Sequence, residues 1–168
     1  METTPLLVAL IAMTPLMVYV IWSDLKSLRI PNWCVLAVLG VYVVTGLWGL
    51  PIETFLWRLA YAAGFLVIGF GIFALAGGKV GAGDMKLITV LIPFVSASDV
   101  LFVLFVYGLV TLVGLMIHRL IRARLRGRKN GWMAIDQAIY YPVGLVLGVT
   151  TLIYLGVQVA DRFIAPAA

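Results

Sequence analysis

Asp24 and Asp84 are the residues of this chain whose type and setting could do chemistry. Asp24 stands in VIWSDLKSLRIPN, where one apolar run ends, and Asp84 stands in GKVGAGDMKLITV, where another begins. A carboxylate at the mouth of a membrane segment is costly unless it is paired or used. If the two converge, like-charge repulsion and partial loss of water hold one proton between them near neutral pH. One carboxylate can then take a proton from water while the other donates to a scissile carbonyl, the aspartic-protease arrangement. That chemistry needs neither a metal nor a nucleophilic side chain.

Each acid also has a plainer reading. Asp24 falls at a helix C-terminus, where partial negative charge disfavours a carboxylate by about 0.3–1 kcal/mol. Pairing with Lys26 or Arg29 would relieve that cost. Asp84 precedes an apolar run and suits a helix N-cap, with Gly81-Ala82-Gly83 as a flexible approach. Taken singly, each position leaves both readings open. Two acids on one membrane face favour chemistry.

The elements that must carry them are membrane helices. Of 168 residues, 64% are hydrophobic, and the mean hydropathy is +1.13. Soluble domains hold roughly 45–50% apolar residues. The apolar runs are continuous rather than alternating, so helices and not a barrel satisfy the backbone in lipid. One cysteine, Cys34, and one histidine, His118, leave no internal disulfide and no cysteine-cluster zinc site. No metal or cofactor and no nucleic acid is expected. The first apolar stretch follows an acid, Glu2, and no small-residue cleavage site ends it, so it reads as a retained helix.

An all-α, polytopic bundle of six transmembrane helices is expected, over residues 1–168 as a single domain. Helix one runs from about Pro5 to Trp22, helix two from about Trp33 to Leu50, helix three from about Phe55 to Ala76, and helix six from about Ala138 to Ala160. Met85 to His118 is harder. A single helix of that length would reach about 50 Å, whereas two full spans need about 40 residues. Ser96-Ala97-Ser98-Asp99 supplies a polar break between a short fourth helix and a normal fifth.

Charge supports that division. With the N-terminus outside, the inner face holds Lys26, Arg29, Lys79, Lys86 and the six cations between Arg119 and Lys129, ten of the twelve Lys and Arg residues. Merging helices four and five would turn the Arg-rich segment outward, against the positive-inside rule. Glu2, Glu53, Asp99 and Asp161 then fall on the outer side, and Asp24, Asp84 and Asp136 on the inner.

Asp24 followed by Arg29-Ile30-Pro31-Asn32, then Gly81-Ala82-Gly83-Asp84-Met85-Lys86-Leu87, resembles the two signatures of the type IV prepilin peptidases, membrane aspartic proteases with a GxGD motif. Tyr141-Pro142-Val143-Gly144 resembles a further Pro-x-Gly element of that family. The resemblance covers nearly the whole chain in order and spacing. It implies Asp24 and Asp84 as the catalytic pair, with Gly81 and Gly83 letting the backbone bring Asp84 to the substrate. It implies that Pro31 and Asn32 shape the turn into helix two. Arg29, Lys86, Pro142 and Gly144 belong to the motifs, and Lys86 receives no chemical role.

Longer members of that family carry an N-terminal extension with a cysteine-based zinc site and also methylate the new N-terminus. This chain begins almost at helix one and has only Cys34, so it resembles the short, peptidase-only branch serving Flp-type (tight-adherence) pilins. The resemblance implies a bacterial inner-membrane enzyme and a prepilin partner, a short basic leader followed by a hydrophobic helix. Cleavage would fall at the cytoplasmic edge of that helix.

Other features have plainer roles. The basic stretch 119–129 fixes topology, with anionic lipid head groups as an alternative partner. His118 is expected to close helix five at the interface, with a proton shuttle as the alternative. Trp22, Trp33, Trp48, Trp57 and Trp132 fall near membrane boundaries, as anchors do. Gly144 and Gly148 have small-xxx-small spacing and suit close helix packing. Asp136 caps or precedes helix six, with leader positioning as its alternative, and Cys34 packs. Two other classes compete with the protease, a small proton-coupled carrier and a non-catalytic assembly subunit. A carrier would hold its acids near the midplane, whereas these two lie at one edge.

Overall fold

Apolar runs this long become helices because lipid offers no partner to a backbone N–H or C=O. The computed structural model describes residues 2–75, 81–125, 131–136 and 141–164. Its elements are α1 (Thr3–Ser27), α2 (Asn32–Gly49), α3 (Ile52–Leu75), α4 (Ala82–Leu91), α5 (Val100–Arg124), α6 (Met133–Asp136) and α7 (Val143–Ile164), with two 3-10 turns at Ile92–Phe94 and Ala97–Asp99. Among the described residues there is no strand. Five helices, α1, α2, α3, α5 and α7, are long and apolar enough to cross a membrane. With the short α4 between α3 and α5, this is the polytopic helical bundle the sequence predicts.

The centre of the bundle is α1. Ala9, Met13, Met17 and Val20 are fully buried at helical spacing and form one face, against which α7 and α2 pack. A Cβ on Gly148 would lie 2.8 Å from Ile21 Cγ1 and 3.4 Å from the Met17 carbonyl. The bare glycine is what lets α7 approach α1 this closely. Cys34 is buried in the same core, as expected of a packing residue. Trp22, Trp33, Trp48 and Trp57 stay exposed near helix ends, where interfacial anchors belong. By contrast α5 buries only Val106 and leaves most of its length for lipid.

Several boundaries differ from the sequence expectation. Helix one does not stop near Trp22 but continues to Ser27, which puts Asp24 inside its last turn. The fifth helix does not close at His118. It continues to Arg124, because Arg and Leu are good helix formers and cations suit a helix C-terminus. The basic stretch is therefore helical as far as Arg124, and residues 126–130 lie outside the described residues. The last helix starts at Val143 rather than near Ala138, and a separate four-residue helix, α6, precedes it. Asp136 closes α6, accepts the Gly131 N–H at 3.1 Å, and precedes the last helix, which starts seven residues later. Residues 76–80, including Lys79, and 137–140 also lie outside the described residues.

Candidate active site

Asp24 reaches its place through the end of α1. Leu28 adopts the left-handed conformation (φ 51°, ψ 39°) and its N–H returns to the Asp24 carbonyl. Only a few per cent of non-glycine residues adopt this conformation; here it reverses the chain sharply. Ser23 Oγ donates to the Arg29 carbonyl at 2.8 Å and pins the turn from inside. Pro31 then precedes the first residue of α2, Asn32, where the fixed φ of proline fits. Arg29 itself is exposed.

The Asp24 side chain is 4% exposed and points at the start of α7. Its Oδ2 accepts the Gly144 N–H at 2.7 Å, one of the donors a helix N-terminus leaves free. Pro142 lies fully buried just ahead of that turn. A Cβ on Gly144 would stand 2.9 Å from Asp24 Oδ2 and 3.1 Å from its Cβ. Gly144 is thus more than a packing glycine. It makes room for the carboxylate and binds it. The expected pairing of Asp24 with Lys26 or Arg29 gives way to this contact, and Lys26 Nζ lies 4.7 Å over the Trp22 ring instead.

Asp84 arrives from the opposite side. Gly81, not Asp84, occupies the N-cap position of α4, and Asp84 falls in the first turn without making a capping bond. The N-cap reading of Asp84 is therefore replaced. A Cβ on Gly81 would come 2.5 Å from Asp84 Oδ2, so this glycine clears space for its own motif's carboxylate. Gly83 sits against Ile30, where a Cβ would make an ordinary 3.5 Å contact. Asp84 lies outside the five spanning helices. Burial, with the nearby Asp24 carboxylate adding to it, pushes its pKa up to about 6.

The two motif segments also touch through Lys86, whose Nζ donates to Asn32 Oδ1 at 3.3 Å across 54 positions. The motif by itself assigns Lys86 no role. The available signal was a long cation in one motif and a side-chain amide in the other. His118 lies apart from the acids. Its Nε2 is 2.7 Å from the Ala134 carbonyl, its ring packs edge-on against Tyr141, and it holds α6 to α5. Among the described residues no three His, Cys, Asp or Glu side chains group as a metal site would need.

A site built from two aspartates at one end of a helical bundle, one of them following a Gly-Ala-Gly approach, can be compared with known proteins. The family model described as the type IV leader peptidase family matches residues 11–117, well over half of the chain and both aspartates. The chain belongs to the type IV leader peptidase family. It is a multi-pass membrane protease, and prepilins are the substrates its family implies. Pro142 and Gly144 lie beyond the matched residues, so their relation to Asp24 rests on the geometry. No curated protein and no solved structure matched the chain in the same comparisons.

Proposed function

We propose that this leader peptidase is an aspartic endopeptidase that removes the leader from Flp-like type IV prepilins, with Asp24 and Asp84 as the catalytic pair. The observation that carries the reading is that the segments bearing the two acids meet at one end of the bundle, Gly83 against Ile30 and Lys86 on Asn32. Two such groups share one proton over an intermediate pH range. The ionised member takes a proton from water as the water oxygen attacks the scissile carbonyl carbon. The protonated member gives its proton to the carbonyl oxygen. When the tetrahedral intermediate collapses, the C–N bond breaks, the departing amine takes the proton the first carboxyl took from water, and a hydroxyl of the intermediate returns a proton to the other carboxylate, so the dyad regains its single proton.

In this reading the reaction takes place at the cytoplasmic face of a bacterial inner membrane, the side to which the charge distribution assigns ten of twelve Lys and Arg residues. The substrate segment is extended there, just before its hydrophobic helix. The whole chain, 1–168, acts as one peptidase unit without methylating its product.

Co-expression with a Flp-type prepilin tests the proposal. Wild type removes the leader, and Asp24→Asn and Asp84→Asn each leave the precursor intact. Processing by either variant would refute the dyad. Unchanged function in both is the outcome a non-catalytic assembly subunit requires. Mass spectrometry of the mature N-terminus checks that it is unmethylated.

A further inference from the structure

Arg58 is a cation set among apolar residues of α3, six residues and so about 9 Å beyond Ile52, the first residue of that helix. A cation in a membrane helix is costly and is retained where it is paired or used. The guanidinium is half-buried and makes two hydrogen bonds. Nη1 donates to the Pro93 carbonyl at 3.1 Å and Nη2 to Ser96 Oγ at 2.9 Å. Both acceptors belong to the segment that closes α4.

The length of α4 explains why an arginine can reach its end. Ten helical residues and one 3-10 turn cover roughly 21 Å, while a bilayer core is about 30 Å thick. An α4 that starts at the Asp84 end therefore stops short of the opposite surface. Arg58 reaches its end from α3. The carbonyl of Pro93 is one of the acceptors a helix end leaves unpaired, and a cation is the partner its partial charge favours.

Ser96 is anchored from the other side as well. Its N–H donates to Tyr154 Oη at 3.2 Å. The Tyr154 hydroxyl donates to Asp99 Oδ2 at 2.9 Å, and Gln158 Nε2 donates to the same oxygen at 3.0 Å. A polar brace thus runs from α3 through the end of α4 to α7.

We infer that Arg58 is a positioning residue, which sets the height of α4 in the bundle and through it the depth at which Asp84 stands. The consequence for catalysis rests on the proposed role of Asp84. Leu87, Val90, Leu91 and Phe94 hold α4 against the core, but apolar burial is non-directional and tolerates a slide along the helix axis. The planar fork of an arginine, bonded to two fixed acceptors, accepts one height only. Among the described residues the other end of α4 has no comparable fastening. It begins at Gly81 without a side-chain cap, and its Lys86–Asn32 bond is long and exposed.

Two measurements on the full chain test this together. In the first, kcat and KM are measured on a prepilin precursor for wild type, Arg58→Leu, Arg58→Lys and Ser96→Ala. A displacement of 1 Å near reacting groups can cost about 100-fold, so Arg58→Leu is expected to lower kcat by about tenfold to 100-fold with KM within about twofold. Arg58→Lys, which keeps the charge but not the fork, recovers only part of that loss, and Ser96→Ala gives a smaller fall. In the second, Asp24→Cys and Asp84→Cys are combined with Cys34→Ala, and bifunctional thiol reagents of graded length measure the separation of the two positions. Adding Arg58→Leu shifts the preferred reagent length.

An unchanged kcat in Arg58→Leu overturns the inference, as does a reduced kcat with an unchanged cross-linking profile. Should Arg58→Leu fail to fold, Ser96→Ala decides by the same two criteria. Cross-linking needs no catalysis, so a chain that leaves prepilin uncut refutes the proposed function while the inference about α4 is still read.

Discussion

The amide of Gly144 donates to Asp24 Oδ2 at 2.7 Å, joining residues 120 positions apart. The contact exists because position 144 has no Cβ, since one would stand 2.9 Å from that oxygen. Gly144→Ala must therefore move the carboxylate or the first turn of α7. A fall in kcat of about 100-fold is expected, with the folded protein still recovered from the membrane. Kinetics on protein purified by gel filtration checks it, and wild-type kcat in Gly144→Ala would show that Asp24 needs no such seat.

Gly81→Ala sets the same conflict at the other acid, with a smaller structural cost. The obstructing atom is the free end of the Asp84 side chain, 2.5 Å from the added Cβ, and a carboxylate turns aside more easily than a backbone. Stability should change by less than about 1 kcal/mol, as for most substitutions that neither overpack a core nor open one. Activity should fall by about tenfold or more. Thermal unfolding and leader cleavage, measured on the same preparation, separate the two effects.

Proteolysis should decline as pH rises through about 6. Asp84, pushed up to about 6 by burial and the Asp24 charge, holds its proton below that pH and loses it above. The mechanism requires the pair to keep one proton, so ionising the second acid removes the donor to the carbonyl oxygen. A profile of kcat/KM from about pH 5 to 8 reads the limb directly. A flat profile over that range would exclude the shared proton.

Gly148→Ala should act on stability and not on chemistry. Its Cβ would meet Ile21 Cγ1 at 2.8 Å and the Met17 carbonyl at 3.4 Å, one turn beyond Gly144 on the same α1-facing side. Overpacking of this kind costs about 1–3 kcal/mol. Unfolding in detergent should shift accordingly, while the folded fraction keeps kcat within about threefold, far less than a direct misplacement costs.

Gly144 and Gly148 show where sequence reading stops. Their spacing announced a packed helix face, and the structure has one. Nothing local distinguished the glycine that accommodates a carboxylate from the one that accommodates an isoleucine. Lys86 and Asn32 are similar, since each lay in a motif but their bond depends on how α4 leans on α2. The end of α1 lies about a turn beyond Trp22, where the apolar run stops, because polar residues continue the helix until Leu28 in the left-handed region ends it. His118 failed as a boundary for the opposite reason, because Arg-rich sequence continues a helix well.

What the sequence determined by itself was the helical class, the short fourth helix, and the two aspartates at one end of the bundle. Those follow from hydropathy, length and charge, all of which are local or additive. Only the tertiary structure decided that the N-terminus of α7 receives Asp24, that Arg58 reaches the end of α4, and that Lys86 meets Asn32. A membrane helix is apolar on nearly every side, so no amphipathic stripe names its neighbours. The choice among faces is made by close packing and by a few buried polar groups, and these exist only once the helices have met.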